Sequence, residues 1–335
     1  MTERMKRRLP FLLFLSSVAL HAQDPQLSQF FAAPMHLNPA LTGNTYQDRI
    51  AMNYRNQWPS AVVNAFQTYA ASWEHRAQKL NSGFGVMAMR DVAGANGLAF
   101  TQVAAAYSYE ARIDRKNAVR GGVRAAWTNR SYDPNSFLFA DQVIRDNAAT
   151  SIETGMVQQV SYMDLSAGAM YYNERFWAGV SVNHLNRPQQ SLFLNGEARL
   201  PVRTSVHTGY RFPLDGKRMI HSGTVGTIAT LYKAQGKWDQ FDVGMYVDHD
   251  KLLVGLWYRG IPGLKAYAPG YPNNDAVVLM AGYETPFQLQ AVYSYDITIS
   301  WLDLSSGGAH EVSLIYEWPR KAKSRKHKIV PCPKF

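Results

Sequence analysis

The feature that most constrains this sequence is an alternation of apolar and polar residues with a period of two, repeated along most of the chain. In the segment AVRGGVRAAWTNR, Val119, Val123 and Trp127 lie on one face. Arg120 and Arg124 lie on the other. The pattern recurs in LPVRTSVHTGYRF, PFQLQAVYSYDI and AHEVSLIYEW. This period is that of β-strands whose two faces meet different surroundings, so the chain is predicted to be all-β.

The polar faces distinguish a membrane barrel from a soluble β-sandwich, which also alternates. They carry charges in mid-strand, such as Arg203, Arg211 and Asp296, which suits a wet lumen. The apolar faces often end in aromatic residues, as at Trp127 and Trp318, which suits the interfacial girdles of a barrel. The segments are also longer than the usual strands of globular proteins. The sequence therefore predicts a transmembrane outer-membrane β-barrel, with an exported soluble β protein as the alternative.

The N-terminus predicts export. Residues 1–22 combine a basic start, an apolar stretch of about a dozen residues and the sequence LHA before Gln23, which together read as a signal peptide. No later stretch is apolar for long enough to predict a transmembrane helix. The single cysteine, Cys332, rules out an internal disulfide framework and is either a free thiol or an intermolecular one.

The formal net charge of +10 belongs to the two ends of the chain. Setting aside residues 1–22 and residues 320–335 leaves 24 basic and 24 acidic residues in the body. A globally basic surface for nucleic acid is therefore not predicted.

The strand count predicts a barrel of about 14 antiparallel strands within residues 48–319. An even number places both termini at one side, expected to be the periplasm. The long loops at 131–160 and 260–274 should then face outward or fold into the lumen. The predicted strands are 48–57, 65–77, 83–92, 97–112, 117–130, 161–173, 175–184, 199–212, 221–234, 237–248, 251–259, 275–284, 286–298 and 309–318.

No constellation of residues predicts an enzyme, a cofactor or a metal site. The usual hydrolase, phosphate-loop and zinc motifs are missing, and the histidines are scattered over different segments. Asp248, His249 and Asp250 fall at a predicted hairpin turn, where aspartate favours turn geometry. The arginines of the polar faces either select anions in an open pore or pair with lumenal carboxylates. These lumen-lining candidates are Arg120, Arg124, Arg203 and Arg211.

The segment before the first strand, residues 23–47, is rich in amides, proline and aromatics. Such a composition does not suit a disordered leader. The segment is predicted either to enter the lumen as a plug, with its polar groups satisfied there, or to lie across the periplasmic mouth as a strap.

Four sequence motifs resemble the PorP/SprF family, outer-membrane proteins of the type IX secretion and gliding apparatus of Bacteroidota. They are DPQLSQFFAAPMHLNPALTG, NYRNQWP, FQTYAASWEH and the terminal CPKF. The candidates for plug packing or partner docking within these motifs are Asp24, Pro25, Gln26, Ser28, Gln29, Asn38, Pro39, Arg55, Trp58, Cys332, Pro333, Lys334 and Phe335.

The resemblance implies a barrel without enzymatic activity that supports export or surface anchoring of large secreted proteins, often adhesins, recognised through their C-terminal signal domain. It also implies periplasmic partners, namely the ring proteins of the secretion machine and a peptidoglycan-associated lipoprotein. The alternative function from the residues alone is a general or anion-preferring porin for small solutes.

The basic tail, residues 320–335, follows the last predicted strand. A positive peptide stiffened by Pro331 and Pro333 is suited to docking on an acidic periplasmic partner. The alternative is a simple solvated tail.

Overall fold

The computed structural model describes most of the chain. It covers residues 24–60, 66–94, 97–133, 144–145, 156–216, 223–268, 271–300 and 306–319, without the side chains of 262–273. The predicted signal peptide and the basic tail lie outside these residues.

The described residues form fourteen strands in one closed barrel, which confirms the predicted fold. The strands are β1 (Asp48–Gln57), β2 (Phe66–Ala77), β3 (Ser82–Ala93), β4 (Leu98–Arg112), β5 (Ala118–Ser131), β6 (Gln159–Tyr172), β7 (Phe176–Asn183), β8 (Arg203–Pro213), β9 (Thr224–Gln235), β10 (Trp238–His249), β11 (Leu252–Ala268), β12 (Tyr271–Glu284), β13 (Leu289–Thr298) and β14 (Ala309–Glu317). Each strand pairs antiparallel with its neighbours in sequence, and β14 pairs with β1 to close the barrel.

Helical structure in the described residues is short. It comprises one α-helix, Pro34–Leu37, and the 3₁₀ turns Phe30–Ala32, Pro39–Leu41 and Gln78–Leu80. None of the described helices has the length and apolar character to cross a membrane.

The alternation of the sequence becomes the two faces of the barrel wall. On β5, the side chains of Val123 and Trp127 are 56% and 46% exposed on the outer face. Arg120 and Arg124 on the same strand are 1% and 3% exposed, because they point inward. The wall is thus apolar outside and polar inside, as a transmembrane barrel requires.

The two ends of the barrel differ in their connections. Asp48, Glu317 and short connections such as 113–117 and 173–175 lie at one end, which we call the turn end. The longer connection 184–202 lies at the other, which we call the loop end.

The predicted loop at 260–274 needs correction, because β11 and β12 continue to Ala268 and Tyr271. Glycine and proline interrupt the alternation there, which is why the sequence reads as a loop. The sheet accommodates them by shifts of register: Ile261 pairs with Asn273, but Ala266 pairs with Pro272. Residues 262–265 therefore have no partners of their own on β12, as in an extended bulge.

Candidate functional site: the lumen and the N-terminal segment

Residues 24–46, which we call the N-terminal segment, run through the interior of the barrel from one end to the other. Asp24 pairs with His184, directly after β7, and with Arg203, the first residue of β8, at the loop end. Thr45 donates to the carboxylate of Glu317, the last residue of β14, at the turn end.

This path corrects the prediction that both termini share one side. The even strand number does place Asp48 and Glu317 together, but Asp24 lies at the opposite end. The argument from strand parity applies only to the barrel strands, and the N-terminal segment passes back through the lumen before β1 begins.

Asp24 belongs to a charged cluster at the loop end. Nε2 of His184 lies 2.7 Å from the Asp24 carboxylate, and Nδ1 lies 3.0 Å from that of Asp164. A guanidinium nitrogen of Arg203 lies 2.7 Å from Asp24. Burial acts to lower the pKa of His184, but the two carboxylates outweigh it and hold that pKa above its usual value. Burial opposes ionisation of Asp24 too, yet Arg203 and His184 keep its pKa well below the usual range.

Because of this cluster, we expect the folded protein to lose stability as the pH rises above about 6.5. A group whose pKa is raised on folding stabilises the fold below its unfolded pKa, about 6.5 for histidine, and loses that contribution as pH rises through the folded pKa. We therefore expect the thermal unfolding temperature in detergent to fall by a few degrees as pH rises above about 6.5. His184→Gln should flatten the profile in this window.

The comparison with His184→Gln isolates the contribution of His184, because the other titratable groups are the same in both proteins. Parallel profiles of the wild type and His184→Gln between about pH 6.5 and pH 9 would show that the cluster contributes nothing to this dependence.

A second cluster ties the N-terminal segment to the seam where the barrel closes. Arg55 on β1 stands opposite Glu311 on β14 and lies 3.2 Å from its carboxylate. Arg55 also lies 2.9 Å from Asp296 on β13 and donates to the hydroxyl of Ser28 at 2.6 Å. All of these side chains are almost fully buried, so their charges depend on one another. We call this the seam cluster, and it includes Gln29 and Arg259.

The backbone of the N-terminal segment takes part in the seam cluster. The amides of Ser28 and Gln29 donate to the two oxygens of Glu311, at 2.7 and 3.0 Å. Arg259 on β11 binds both Ser28 and Asp296, at 2.6 and 2.9 Å. One short stretch of the segment is therefore hydrogen-bonded to residues from β1, β11, β13 and β14.

Apolar side chains fill the middle of the lumen. Phe30 packs edge-on against Trp257, with ring centroids 4.9 Å apart, and Phe31 lies beside Tyr246. Met35 is fully buried and packs with Met87 on β3. Burial of several such side chains, at roughly 1.5–3 kcal/mol each, makes the segment a stable part of the core.

Glycines in the wall allow the segment to approach the strands closely. A Cβ on Gly122 would lie 2.4 Å from the backbone of Pro39, and one on Gly83 would lie 2.1 Å from the carbonyl oxygen of Thr42. A Cβ on Gly168 would lie 2.0 Å from the side chain of Asn38. Only residues without a side chain fit at these positions.

Buried arginines and acids complete the turn-end half of the lumen. Glu110 on β4 accepts from Arg76 and from Tyr172, and Arg120 lies 3.5 Å from it. Arg120 also reaches the carbonyl oxygen of Gly43. The amide of Gly43 in turn donates to Glu74, at 2.8 Å.

The predicted lumen arginines all lie on the inner face, but their partners differ. Arg203 pairs with Asp24, and Arg120 lies near Glu110. Arg124 instead donates to the carbonyl oxygen of Met35 and to two neutral side chains. Arg211 is half-buried near the turn end.

The remaining candidates divide between the lumen and the undescribed tail. Asn38 donates to carbonyl oxygens of β6 and β7 and contacts the His207 ring at 3.0 Å, and Pro39 lies against β5. Gln26 donates to Gln240 on β10 at 2.9 Å. Cys332, Pro333, Lys334 and Phe335 lie outside the described residues.

A cavity of about 380 Å³ lies at the loop end, above the N-terminal segment. Its wall includes Asp24, Pro25 and Gln26 together with Trp58, whose backbone is left-handed at φ 55°. Of the candidate residues, these four therefore line the cavity. Ser28 and Gln29 are buried below it.

Several residues that hold the segment escape prediction from the sequence. The alternation places Glu311 on a polar face without indicating its partners, and the same rule applied to β4 could have identified Glu110 as inward-facing. Nothing in the sequence indicates that Gly122 and Gly168 contact the segment, because a glycine in a strand does not show which part of the chain packs against it. In the part of the chain that the structure describes, no group of three His, Cys, Asp or Glu residues is arranged to hold a metal ion.

Comparisons with solved structures and curated proteins give only distant matches. Among solved structures, the CymD monoaromatic hydrocarbon channel aligns at 10% identity, over 87% of this chain and 94% of that chain, with a TM-score of 0.47. A Pseudomonas aeruginosa FadL homologue aligns at 11% identity, over 84% and 93%, with a TM-score of 0.44. A search of curated proteins found no match.

A family model gives the informative match. The model described as type IX secretion system membrane protein PorP/SprF matches residues 19–316, which include the whole N-terminal segment and all but the last residue of the barrel strands. This confirms the resemblance read from the sequence motifs. The chain is an outer-membrane β-barrel that belongs to the PorP/SprF family of type IX secretion system membrane proteins.

Proposed function

We propose that this component of the type IX secretion system supports export or surface anchoring of large secreted proteins such as adhesins, and that it acts as a plugged anchoring barrel without enzymatic activity. The observation that carries the proposal is the N-terminal segment, whose buried ionic clusters and apolar side chains occupy the lumen. A barrel built in this way is suited to holding partners at its two ends.

The lumen argues against the porin alternative. Arginines of an anion-selective pore must face water and exchange ions with it. Arg120, Arg124 and Arg203 are instead buried and engaged by the N-terminal segment or its neighbours. The wide cavity at the loop end has the N-terminal segment as its floor.

We assign the turn end to the periplasm and the loop end to the cell exterior. Single-chain barrels of outer membranes carry short turns on the periplasmic side and longer loops outside. In this orientation the basic tail after Pro319 starts in the periplasm, where the ring proteins and the peptidoglycan-associated lipoprotein of the machine are the expected partners. The secreted cargo would dock through its C-terminal signal domain.

The test is deletion of the gene followed by proteomics of the cell surface. We expect at least one large adhesin to disappear from the surface while its intracellular amount persists, and the full-length chain to restore it. Normal surface display of every large adhesin in the deletion strain would contradict the proposal.

The same strain tests the tail. A chain that lacks residues 320–335 should insert normally, because the pairing of β1 with β14 that closes the barrel ends at Glu317, yet it should fail to restore surface display. A matched control replaces the tail by a neutral Gly/Ser peptide of equal length. Full restoration by the truncated chain would show that the tail is only a solvated end.

A further inference from the structure

The outer wall of the barrel carries a row of polar side chains near the loop end. Cross-strand pairing places Tyr69, Arg90, Thr101, Asn129 and Ser161 side by side on β2 to β6. The amide of Asn129 donates to the hydroxyl of Ser161 at 2.9 Å on this exposed surface. Because the outward residues nearer the turn end are apolar, the row marks the upper edge of the apolar band on this wall.

Arg90 is the unusual member of this row. The arginines described above point into the lumen, whereas Arg90 is exposed on the outer face of β3, next to the exposed Ala88. No described residue forms an ion pair with it. A cation on the lipid-facing side of a barrel costs about 2–4 kcal/mol at the bilayer midplane and little near the interface. An arginine here is therefore favourable where it meets an anion at headgroup level.

A depression in the apolar wall lies directly below the row. Its centre is formed by two small side chains, Ala71 and Ala88, which face each other across β2 and β3. Larger side chains, Met52 on β1 and Val103 on β4, flank them in register. The depression encloses about 490 Å³, and Arg90 lines it at the edge nearer the loop end.

We propose that this wall is a binding site for one anionic lipid of the outer leaflet. The phosphate of the headgroup is held by Arg90, with the hydroxyl of Thr101 beside it. An acyl chain lies in the depression over Ala71 and Ala88. The site takes phosphate-bearing lipids in preference to lipids without net charge.

Two observations select a lipid over a protein partner. The depression opens sideways from strand faces that carry apolar residues, so its contents come from the bilayer. The only charged side chain that lines it is cationic and sits at the level of the headgroups, which matches the one fixed charge of an anionic lipid. Neither feature depends on the function proposed above, and only the choice of the outer leaflet rests on the orientation proposed there.

The experiment uses the full mature chain, delipidated in a non-ionic detergent and titrated with phosphatidylglycerol or phosphatidylcholine under native mass spectrometry. We expect phosphatidylglycerol to bind more tightly. Arg90→Gln should weaken it about tenfold, equivalent to about 1.4 kcal/mol, and leave phosphatidylcholine unchanged. Ala88→Trp fills the depression and should weaken both lipids.

Two control variants match these changes elsewhere on the barrel. Arg115→Gln removes the same charge from the exposed turn at 113–117, and Ala281→Trp adds the same side chain to an exposed position of β12. Both should bind phosphatidylglycerol as the wild type does. Equal affinity of Arg90→Gln and the wild type would overturn the proposal. So would displacement of the bound lipid by equimolar inorganic phosphate, or a specific dimer that forms through this wall in place of lipid binding.

Discussion

Replacing Arg55 by methionine is expected to lower the free energy of unfolding by about 3–5 kcal/mol, the usual cost of breaking a buried ion pair. Arg55 is 2% exposed and bridges Ser28, Asp296 and Glu311 across the seam. The substitution leaves Glu311 buried without a described cation within ion-pairing distance. Denaturant unfolding in detergent, followed by tryptophan fluorescence and by the heat-modifiable mobility of the barrel, measures the effect.

The controls separate the charge from its position. Arg115→Met, in the exposed turn at 113–117, should change stability by less than about 0.5 kcal/mol. Adding Glu311→Gln to Arg55→Met should recover part of the loss, because the second change removes the uncompensated charge. A loss of less than about 1 kcal/mol for Arg55→Met would show that the seam cluster does not hold the segment in the barrel.

Replacing Gly122 by valine is expected to displace the N-terminal segment and open the barrel to ions. Its Cβ would lie 2.4 Å from the backbone of Pro39, where no flexible side chain is available to move aside. An emptied barrel of fourteen strands lies between the filled eight-stranded barrels and the porins of 16–18 strands, which carry aqueous channels. Planar-bilayer recordings should show discrete open-channel steps for the variant and a closed baseline for the wild type.

The neighbouring residue provides the matched control. Gly121 lies on the outer face of the same strand, and a Cβ added there meets no atom within 4 Å. Gly121→Val should therefore insert and remain closed like the wild type. A large stable conductance of the wild-type protein would instead favour the porin function. A closed Gly122→Val barrel that remains fully folded would show that the segment can shift without leaving the lumen.

The sequence predicts the wall of this protein well because the physical signal is local. A strand between lipid and a polar lumen must alternate, so residues such as Val123 and Arg124 reveal their faces without knowledge of any partner. The same rule correctly identified Asp296 as inward-facing. It failed at 260–274, where glycine and proline break the period while the backbone pairing continues through a bulge.

The interior was much less predictable than the wall. The composition of residues 23–47 indicated an ordered segment but left two placements for it, because amides and aromatics can be satisfied by a lumen or by a periplasmic surface. Strand parity then suggested one side for both termini, which fails for Asp24. An even number of strands fixes only where the first strand begins and the last one ends. It carries no information about a segment that crosses the lumen without joining the sheet.

The sequence by itself determined the strands of the barrel, their two faces and the family motifs, since each depends on residues close together in the chain; the export signal stays a prediction. Only the tertiary structure decided which residues meet inside. Ser28 and Asp296 are 268 positions apart, and their hydrogen bond exists because the closed barrel brings β13 beside the N-terminal segment. The path of the backbone through the lumen determines which residues become partners of this kind. No local sequence pattern encodes that path.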